Sequence, residues 1–142
     1  MSLFAALQVS ASGMQAERTR AETLVENMAN AETTRTPAGG PYKRKDVVFS
    51  SELQESPFSA VFQNELATGV TVSEITEDPS APEMRYLPNH PDANNEGYVA
   101  FPKMNPAEDM ADLLNTTRSY EANIAAMTAV KDMIMNSISL LK

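Results

Sequence analysis

Apolar residues recur every seven positions near the C-terminal end of the chain, the spacing of a long helix that packs along one side. One row with this step is Leu113, Tyr120, Met127, Ile134 and Leu141. A second row is Met110, Thr117, Ile124, Lys131 and Ile138. Two such rows are typical of a coiled-coil seam. The pattern is longer than the roughly 8 to 20 residues of most globular helices, which favours a coiled coil over an ordinary amphipathic helix.

The start of this helix is marked by capping residues. Asn105 precedes Pro106, and Glu108 follows three residues after Asn105. These residues match an N-cap, a proline at the first helical position and the acid of a capping box. No glycine or proline follows Pro106, so we predict a C-terminal helical unit over residues 106–142.

The N-terminal segment repeats the seven-residue step with smaller side chains. Its row is Leu7, Met14, Ala21 and Met28. Gly13 and Ser10 lie close to this row, and small residues permit the close approach of a second helix. Such a glycine weakens the isolated helix by about 1 kcal/mol relative to alanine. The helix should end within residues 31–34, where Asn and Thr compete for backbone hydrogen bonds, and residues 1–35 are assigned to it.

The middle of the chain has a different character, because all nine prolines lie between Pro37 and Pro106 and proline is costly inside helices. Short alternating or apolar stretches predict strands: Val47–Phe49, Phe58–Phe62, Val70–Val72, Met84–Tyr86 and Tyr98–Phe101. The predicted fold is therefore mainly α with a small β insert. Two long terminal helices pack as a coiled-coil-like core in a helical assembly, and residues 36–105 form a short-stranded, loop-rich middle.

Charge and composition exclude several classes of function. The formal net charge of -8 argues against a nucleic-acid partner, which needs an excess of cations on one face. The chain has no cysteine and one histidine, His90, which cannot supply the ligand set of a zinc site. No cofactor or metal is expected.

The first residues, "MSLFAALQVSASG", do not resemble a secretory signal. They lack a basic region, and their apolar run is short. No stretch approaches the ~20 apolar residues that span a bilayer. Neither a cleaved signal peptide nor direct insertion into a membrane is expected.

An enzyme is not expected, because no constellation of residues supports one. "AGGPYKRK" lacks the spacing of a phosphate-binding loop, and no activated nucleophile emerges. Long apolar seams at both ends instead mark partner surfaces, and contacts between different surfaces of successive copies build helical tubes. The alternative is a cytoplasmic coiled-coil adaptor or binding module, which does not explain helices at both ends around a β insert.

Three motifs, in order along the chain, resemble the flagellar basal-body rod protein family. They are "SASGMQAERTRAETLVENMANAETTRTPAGGPYKRKDVVF" (residues 10–49), "EDPSAPEMRYLPNHPDANNEGYVAFPKMNP" (residues 77–106) and "RSYEANIAAM" (residues 118–127). Within the family, the first motif looks like the version found in a protein of the proximal rod. Together the motifs cover nearly the whole chain.

The resemblance implies a structural subunit of the proximal rod in the basal body, in its periplasmic part. Such a subunit is exported through the flagellar type III export apparatus without a cleaved signal peptide. It polymerises with copies of itself and other rod proteins, next to the export-gate adaptor. The product is a hollow drive shaft that transmits torque and carries later exported subunits.

Three groups of residues are expected at subunit interfaces. The seam group is Leu7, Met14, Leu24, Met28, Leu113, Tyr120, Ile124, Met127 and Ile134. The group in the joint after the first helix is Asn27, Asn30, Gly39, Gly40, Pro41, Lys43, Arg44 and Lys45. The group beside the second seam is Arg118, Glu121 and Asn123. We expect the asparagines of the joint to cap backbone or bridge to a neighbour, the Gly-Gly-Pro turn to send the chain outward, and the cations to face acidic surface on adjacent subunits.

Overall fold

Two long helices and two small antiparallel sheets make up the computed structural model, which describes residues 3–52 and 69–140. The elements are α1 (Leu3–Ala29), β1 (Lys45–Glu52), β2 (Gly69–Glu77), β3 (Glu83–Tyr86), β4 (Tyr98–Phe101) and α2 (Pro106–Ser139). This arrangement confirms the expectation of a mainly α chain with a small β insert. The strand expected at Phe58–Phe62 lies outside the described residues. None of the helices in the described ranges has the length and apolar character needed to cross a membrane.

The limits of the helices follow from local hydrogen bonding. Asn105 has extended backbone angles, and its side-chain Oδ1 accepts a hydrogen bond from the Ala107 N–H at 3.2 Å. The predicted N-cap is therefore confirmed, with Pro106 in the first turn. α1 ends at Ala29, slightly before the expected range, and Asn30 follows in a turn where its side-chain amide donates to the Glu26 carbonyl.

The two helices pack side by side in opposite directions. Gly13 of α1 lies against Asn123 of α2. Near the other end of α1, Asn27 bonds to Lys45, and the adjacent Arg44 pairs with Asp109 in the first turn of α2. We call the end with Ala29 and Pro106 the closed end of this helix pair, and the end with Leu3 and Ser139 the open end.

The residues of α2 that face α1 are partly different from those predicted. In the first row, Leu113, Met127 and Ile134 are half-buried and Tyr120 is 37% exposed, while Leu141 lies outside the described residues. Every member of the second row is exposed. The row packed against α1 starts one residue earlier and is Asp109, Thr116, Asn123 and Val130. Contact of the two predicted rows with other subunits stays a prediction.

The β1–β2 ribbon lies along α1. Its two strands pair antiparallel from Lys45↔Glu77 to Glu52↔Gly69. α1 from Ser12 to Asn27 is about 22 Å long, and β1 is about 23 Å long. The ribbon therefore runs beside roughly the second half of α1, which lies between the ribbon and α2.

The second sheet, β3–β4, forms a small core at the closed end. Val99 is 1% exposed and Phe101 is 8% exposed. The Arg85 guanidinium lies over the Phe101 ring, 4.8 Å from its centre, and the His90 ring contacts the same Phe101 ring edge-on. Asp92 accepts a hydrogen bond from Thr34 at 2.8 Å, which ties this region to the segment after α1.

Candidate subunit interface

The joint after α1 is a closed loop whose tip points into solvent. The Gly39 N–H donates to the Thr36 carbonyl, and the Thr36 N–H donates to the Gly40 carbonyl at 2.9 Å. Gly39 and Gly40 have φ angles of 88° and 76°, which only glycine adopts without strain. Both glycines are exposed, and Pro41 then starts the return of the chain. The glycines therefore make the expected turn.

Asn27 is the centre of the joint and has no exposed surface. Its side-chain Nδ2 donates to the Lys45 carbonyl at 2.8 Å, and its Oδ1 accepts from the Lys45 N–H at 2.9 Å. The Tyr42 hydroxyl also donates to Oδ1, at 3.0 Å. Burial raises the pKa of Tyr42 above its ordinary value of 10.0, so the hydroxyl stays a donor at neutral pH. The Asn27 amide thus caps backbone within its own chain.

All three consecutive cations have acidic partners in the same chain, and the two lysines pair with glutamates. The Lys45 ammonium lies 2.6 Å from Glu26, and this hydrogen bond is the main reason that the pKa of Lys45 is raised. The Lys43 ammonium lies 3.8 Å from Glu77, and both side chains are largely exposed. Exposed pairs of this kind contribute little to stability. Contact of Lys43 and Lys45 with adjacent subunits remains a prediction.

The third cation, Arg44, joins the joint to α2. Its guanidinium lies 3.0 Å from Asp109, whose side chain is 1% exposed, and 3.6 Å from Asp46. Burial raises the pKa of Asp109 above its ordinary value of 3.8, and the guanidinium opposes that shift. Asp109 Oδ2 and Arg44 Nε are buried without a hydrogen-bond partner among the described residues, so the pair is only partly satisfied.

The contact between α1 and α2 is built from small and polar residues. A Cβ atom on Gly13 would lie 3.2 Å from Asn123 Nδ2, so the glycine allows the helices to approach closely. Ser10 of α1 and Thr116 of α2 are buried as well. Asn123 was expected beside the seam but lies in the contact itself, because the true inner row is shifted by one residue.

Large apolar residues instead lie on the outside of α2. We call them the outer flank: Met110, Leu114, Ile124, Met135 and Ile138, with exposures of 54%, 58%, 45%, 59% and 50%. They are separated by combinations of three and four residues, which keeps them on one side of the helix. Among described helices and strands, α2 packs only against α1, so none of the described strands covers the outer flank.

The remaining residues that were expected at interfaces differ in their solvent exposure. Leu7, Met14 and Met28 are half-buried on α1, and Leu24 is 5% exposed. Arg118 and Glu121 are exposed on α2, and Asn30 is half-buried after α1. No single surface contains all of them.

Sequence reasoning missed four residues that organise the joint and the outer flank. Tyr42 and Asp109 are buried polar partners whose role depends on contacts distant in sequence. Leu114 and Met135 belong to the outer flank. A signal for these two was present, since they continue the helical spacing of Met110, Ile124 and Ile138.

The chain is similar to proteins of the flagellar basal body over its whole length. The family model described as "Flagellar basal body rod FlgEFG protein C-terminal" matches residues 95–140. A protein of Bacillus subtilis (strain 168) named flagellar basal-body rod protein FlgC is 41% identical over 150 residues, which cover 99% of each chain. A FlgC protein of Borreliella burgdorferi is 33% identical over 100% of this chain and 99% of its own length. A third, from Aquifex aeolicus, is 39% identical over 93% of this chain and 92% of its own.

Proposed function

Because the chain belongs to the FlgC family of flagellar basal-body rod proteins and is a structural subunit of the rod, we propose that it assembles through the outer flank of α2. In this arrangement the helix pair forms the wall of the hollow proximal rod. The β1–β2 ribbon and the β3–β4 sheet lie further out and contact neighbouring subunits.

The observation that carries this proposal is the inverted distribution of side chains on the helices. Small and polar residues such as Thr116 and Asn123 lie in the contact between α1 and α2 beside Val130, while the larger apolar residues Met110, Leu114 and Ile124 face outward. A soluble helix pair normally buries its largest apolar residues. Burying a side chain such as leucine contributes about 1.5–3 kcal/mol, and a polymer repeats that gain at every subunit.

Membership of the family also guides the choice of partners. Assembly with other rod proteins and the flagellar apparatus follows from being a rod subunit. The specific partners proposed are further copies of this chain, the neighbouring rod proteins and the export-gate adaptor at the rod base. The chain would reach the periplasmic rod through the flagellar type III export apparatus, without a cleaved signal peptide, and the finished rod would transmit torque.

The experiment is a matched pair of substitutions on α2. Leu114→Glu places a charge on the outer flank, whereas Asn115→Glu places the same charge at the next position, which is also exposed. We expect Leu114→Glu to abolish swimming and to remove the chain from purified basal bodies. Asn115→Glu should swim normally, and thermal unfolding of both purified variants should match the parent.

Normal swimming and normal basal bodies with Leu114→Glu would refute the outer flank as the assembly surface. Cell fractionation addresses the alternative function separately. A cytoplasmic adaptor would stay in the cytoplasm as a stable dimer whichever variant is expressed, but the full-length likeness to rod proteins does not favour this alternative.

A further inference from the structure

We infer that Asn27 is a positioning residue whose side chain takes the place of a third strand and holds the β1–β2 ribbon as a rigid arm on α1. This inference rests on the proposed function, because the direction of the arm decides where the ribbon meets a neighbouring subunit. It concerns the shape of the single chain and can be tested without the polymer.

The hydrogen-bond pattern of the ribbon shows what Asn27 replaces. In an antiparallel pair, alternate residues of a strand direct their N–H and C=O groups towards the partner strand, and the others direct them away. The Arg44 carbonyl faces the β2 side, where it accepts from the Asp78 N–H at 2.8 Å. Lys45, the next residue, therefore directs both backbone groups to the free edge.

At that free edge the Asn27 carboxamide offers one acceptor and one donor. The carboxamide presents its oxygen and one N–H side by side, as a strand residue presents its own C=O and N–H to one residue of a neighbouring strand. Both of its bonds to Lys45 are short, at 2.9 Å and 2.8 Å. Sheet edges normally need cover against unwanted pairing. Asn27 covers this one at the point where β1 leaves the joint.

No other side chain of similar size meets these requirements. Aspartate lacks the donor for the Lys45 carbonyl, and leucine lacks both polar groups. Because Asn27 is fully buried, aspartate leaves the Lys45 carbonyl without its donor, and leucine leaves both Lys45 backbone groups without a partner, in a site that excludes water.

A second anchor holds the far end of the ribbon. The Ser12 hydroxyl donates to the Val9 carbonyl at 2.9 Å and accepts from the Val70 N–H at 3.0 Å. A Cβ atom on Gly69 would lie 2.9 Å from Ser12 Oγ, so glycine is required for this approach. Two anchors about 22 Å apart along α1 fix both the position and the direction of the ribbon.

Asn30 provides a matched control three residues further along. Its Nδ2 donates to the Glu26 carbonyl of its own helix at 2.9 Å, and its Oδ1 accepts from the nearby Thr33 hydroxyl. These bonds are local and do not reach the ribbon. Asn30→Ala therefore removes the same side chain without releasing the arm.

The test measures distances between spin labels by pulsed electron paramagnetic resonance on the full chain. The chain has no cysteine, so Glu74→Cys, in the half of the ribbon nearer Lys45, and Ala126→Cys on α2 introduce the only labelling sites. A second pair, Gln15→Cys and Ser137→Cys, reports on the helix pair alone. All four positions are exposed.

We expect Asn27→Ala to broaden the ribbon-to-α2 distance distribution and to leave the distance within the helix pair unchanged. Asn30→Ala should leave both distributions as in the parent. In the same samples, amide exchange at Lys45 should accelerate roughly tenfold or more with Asn27→Ala, because the amide loses its acceptor.

An unchanged ribbon distance with Asn27→Ala would overturn the inference, and so would equal broadening with Asn30→Ala. If Asn27→Ala fails to fold, Asn27→Asp provides the decision, because it keeps the acceptor for the Lys45 N–H, loses only the donor to the Lys45 carbonyl, and should still broaden the same distribution. These outcomes are independent of swimming. If these distance measurements contradict the rigid arm, the proposal that the outer flank is the assembly surface is unaffected. If the motility assay contradicts the outer flank, the inference about Asn27 is unaffected.

Discussion

The closed and open ends of the helix pair carry different kinds of residues. At the closed end, buried polar side chains such as Asn27 and Asp109 have partners from distant parts of the same chain. At the open end, residues 3–16 of α1 carry no charge, and Lys131 and Asp132 are the only charged residues within 122–140. Phe4 is 78% exposed there, and Leu140 is 87% exposed.

Contacts within one chain set the structure of the closed end, whereas we expect contacts between chains to set that of the open end. Directional hydrogen bonds set the geometry of the closed end before any neighbour arrives. An apolar surface with few charges, on a chain of net charge -8, is where identical copies can meet with the least electrostatic repulsion. The open end is therefore suited to contacts with other subunits.

The largest effect should come from making the same substitution at each end. Phe101→Ala removes a ring that is 8% exposed, and we expect a loss of about 3 kcal/mol in the free energy of unfolding. Phe4→Ala removes a ring that is mostly exposed, so its cost in the isolated chain should stay below about 0.5 kcal/mol. Urea titration followed by circular dichroism measures both.

In an assembly assay, we expect the order of the two effects to be reversed. Phe4→Ala should impair incorporation into basal bodies although the isolated chain is as stable as the parent. If Phe4→Ala destabilised the isolated chain as much as Phe101→Ala, the proposed division between the two ends would be wrong.

A smaller effect is expected where α1 and α2 touch. Gly13→Ala improves helix propensity by about 1 kcal/mol, but the new Cβ would lie 3.2 Å from the Asn123 amide. Removing that amide with Asn123→Ala should therefore make Gly13→Ala more stabilising, by roughly 0.5–1 kcal/mol. Additive unfolding energies in the double-mutant cycle would show that the close contact carries no energy.

The smallest effect should be a pH dependence at the closed end. The pKa of Asp109 is raised in the folded chain, so the folded state binds a proton more readily there than the unfolded state does. Its contribution to stability should grow as the pH falls through the raised value and level off below 3.8. The stability difference between the parent and Asp109→Asn, followed by urea titration across that window, should shift in favour of the parent. A shift the other way would contradict the role of burial.

Local signals predicted most of the secondary structure. The Asn105–Pro106 pair marked the start of α2 correctly, and short β-branched or aromatic runs marked all four described strands. These features depend on neighbouring residues alone. The family resemblance was also visible, because its three motifs are contiguous stretches of sequence.

Contacts between distant residues could not be predicted in the same way. No residue near Asn27 in the sequence indicates that its amide will bond to Lys45, which is eighteen positions away. The side of α2 that packs against α1 could not be predicted for a related reason. This chain places Thr116 and Asn123 in that contact and leaves Ile124 exposed, so the apolar rows alone do not indicate it.

The antiparallel helix pair also decides where foreign sequence can be attached. Leu3 and Leu140 both lie at the open end, so a fusion or affinity tag at either terminus would sit beside the surface proposed for packing. The loop tip at Gly39 and Gly40 lies at the opposite end, and a Cβ atom at either glycine would have no neighbour within 4 Å. A short epitope inserted between these glycines should report the position of the subunit while leaving both helices free.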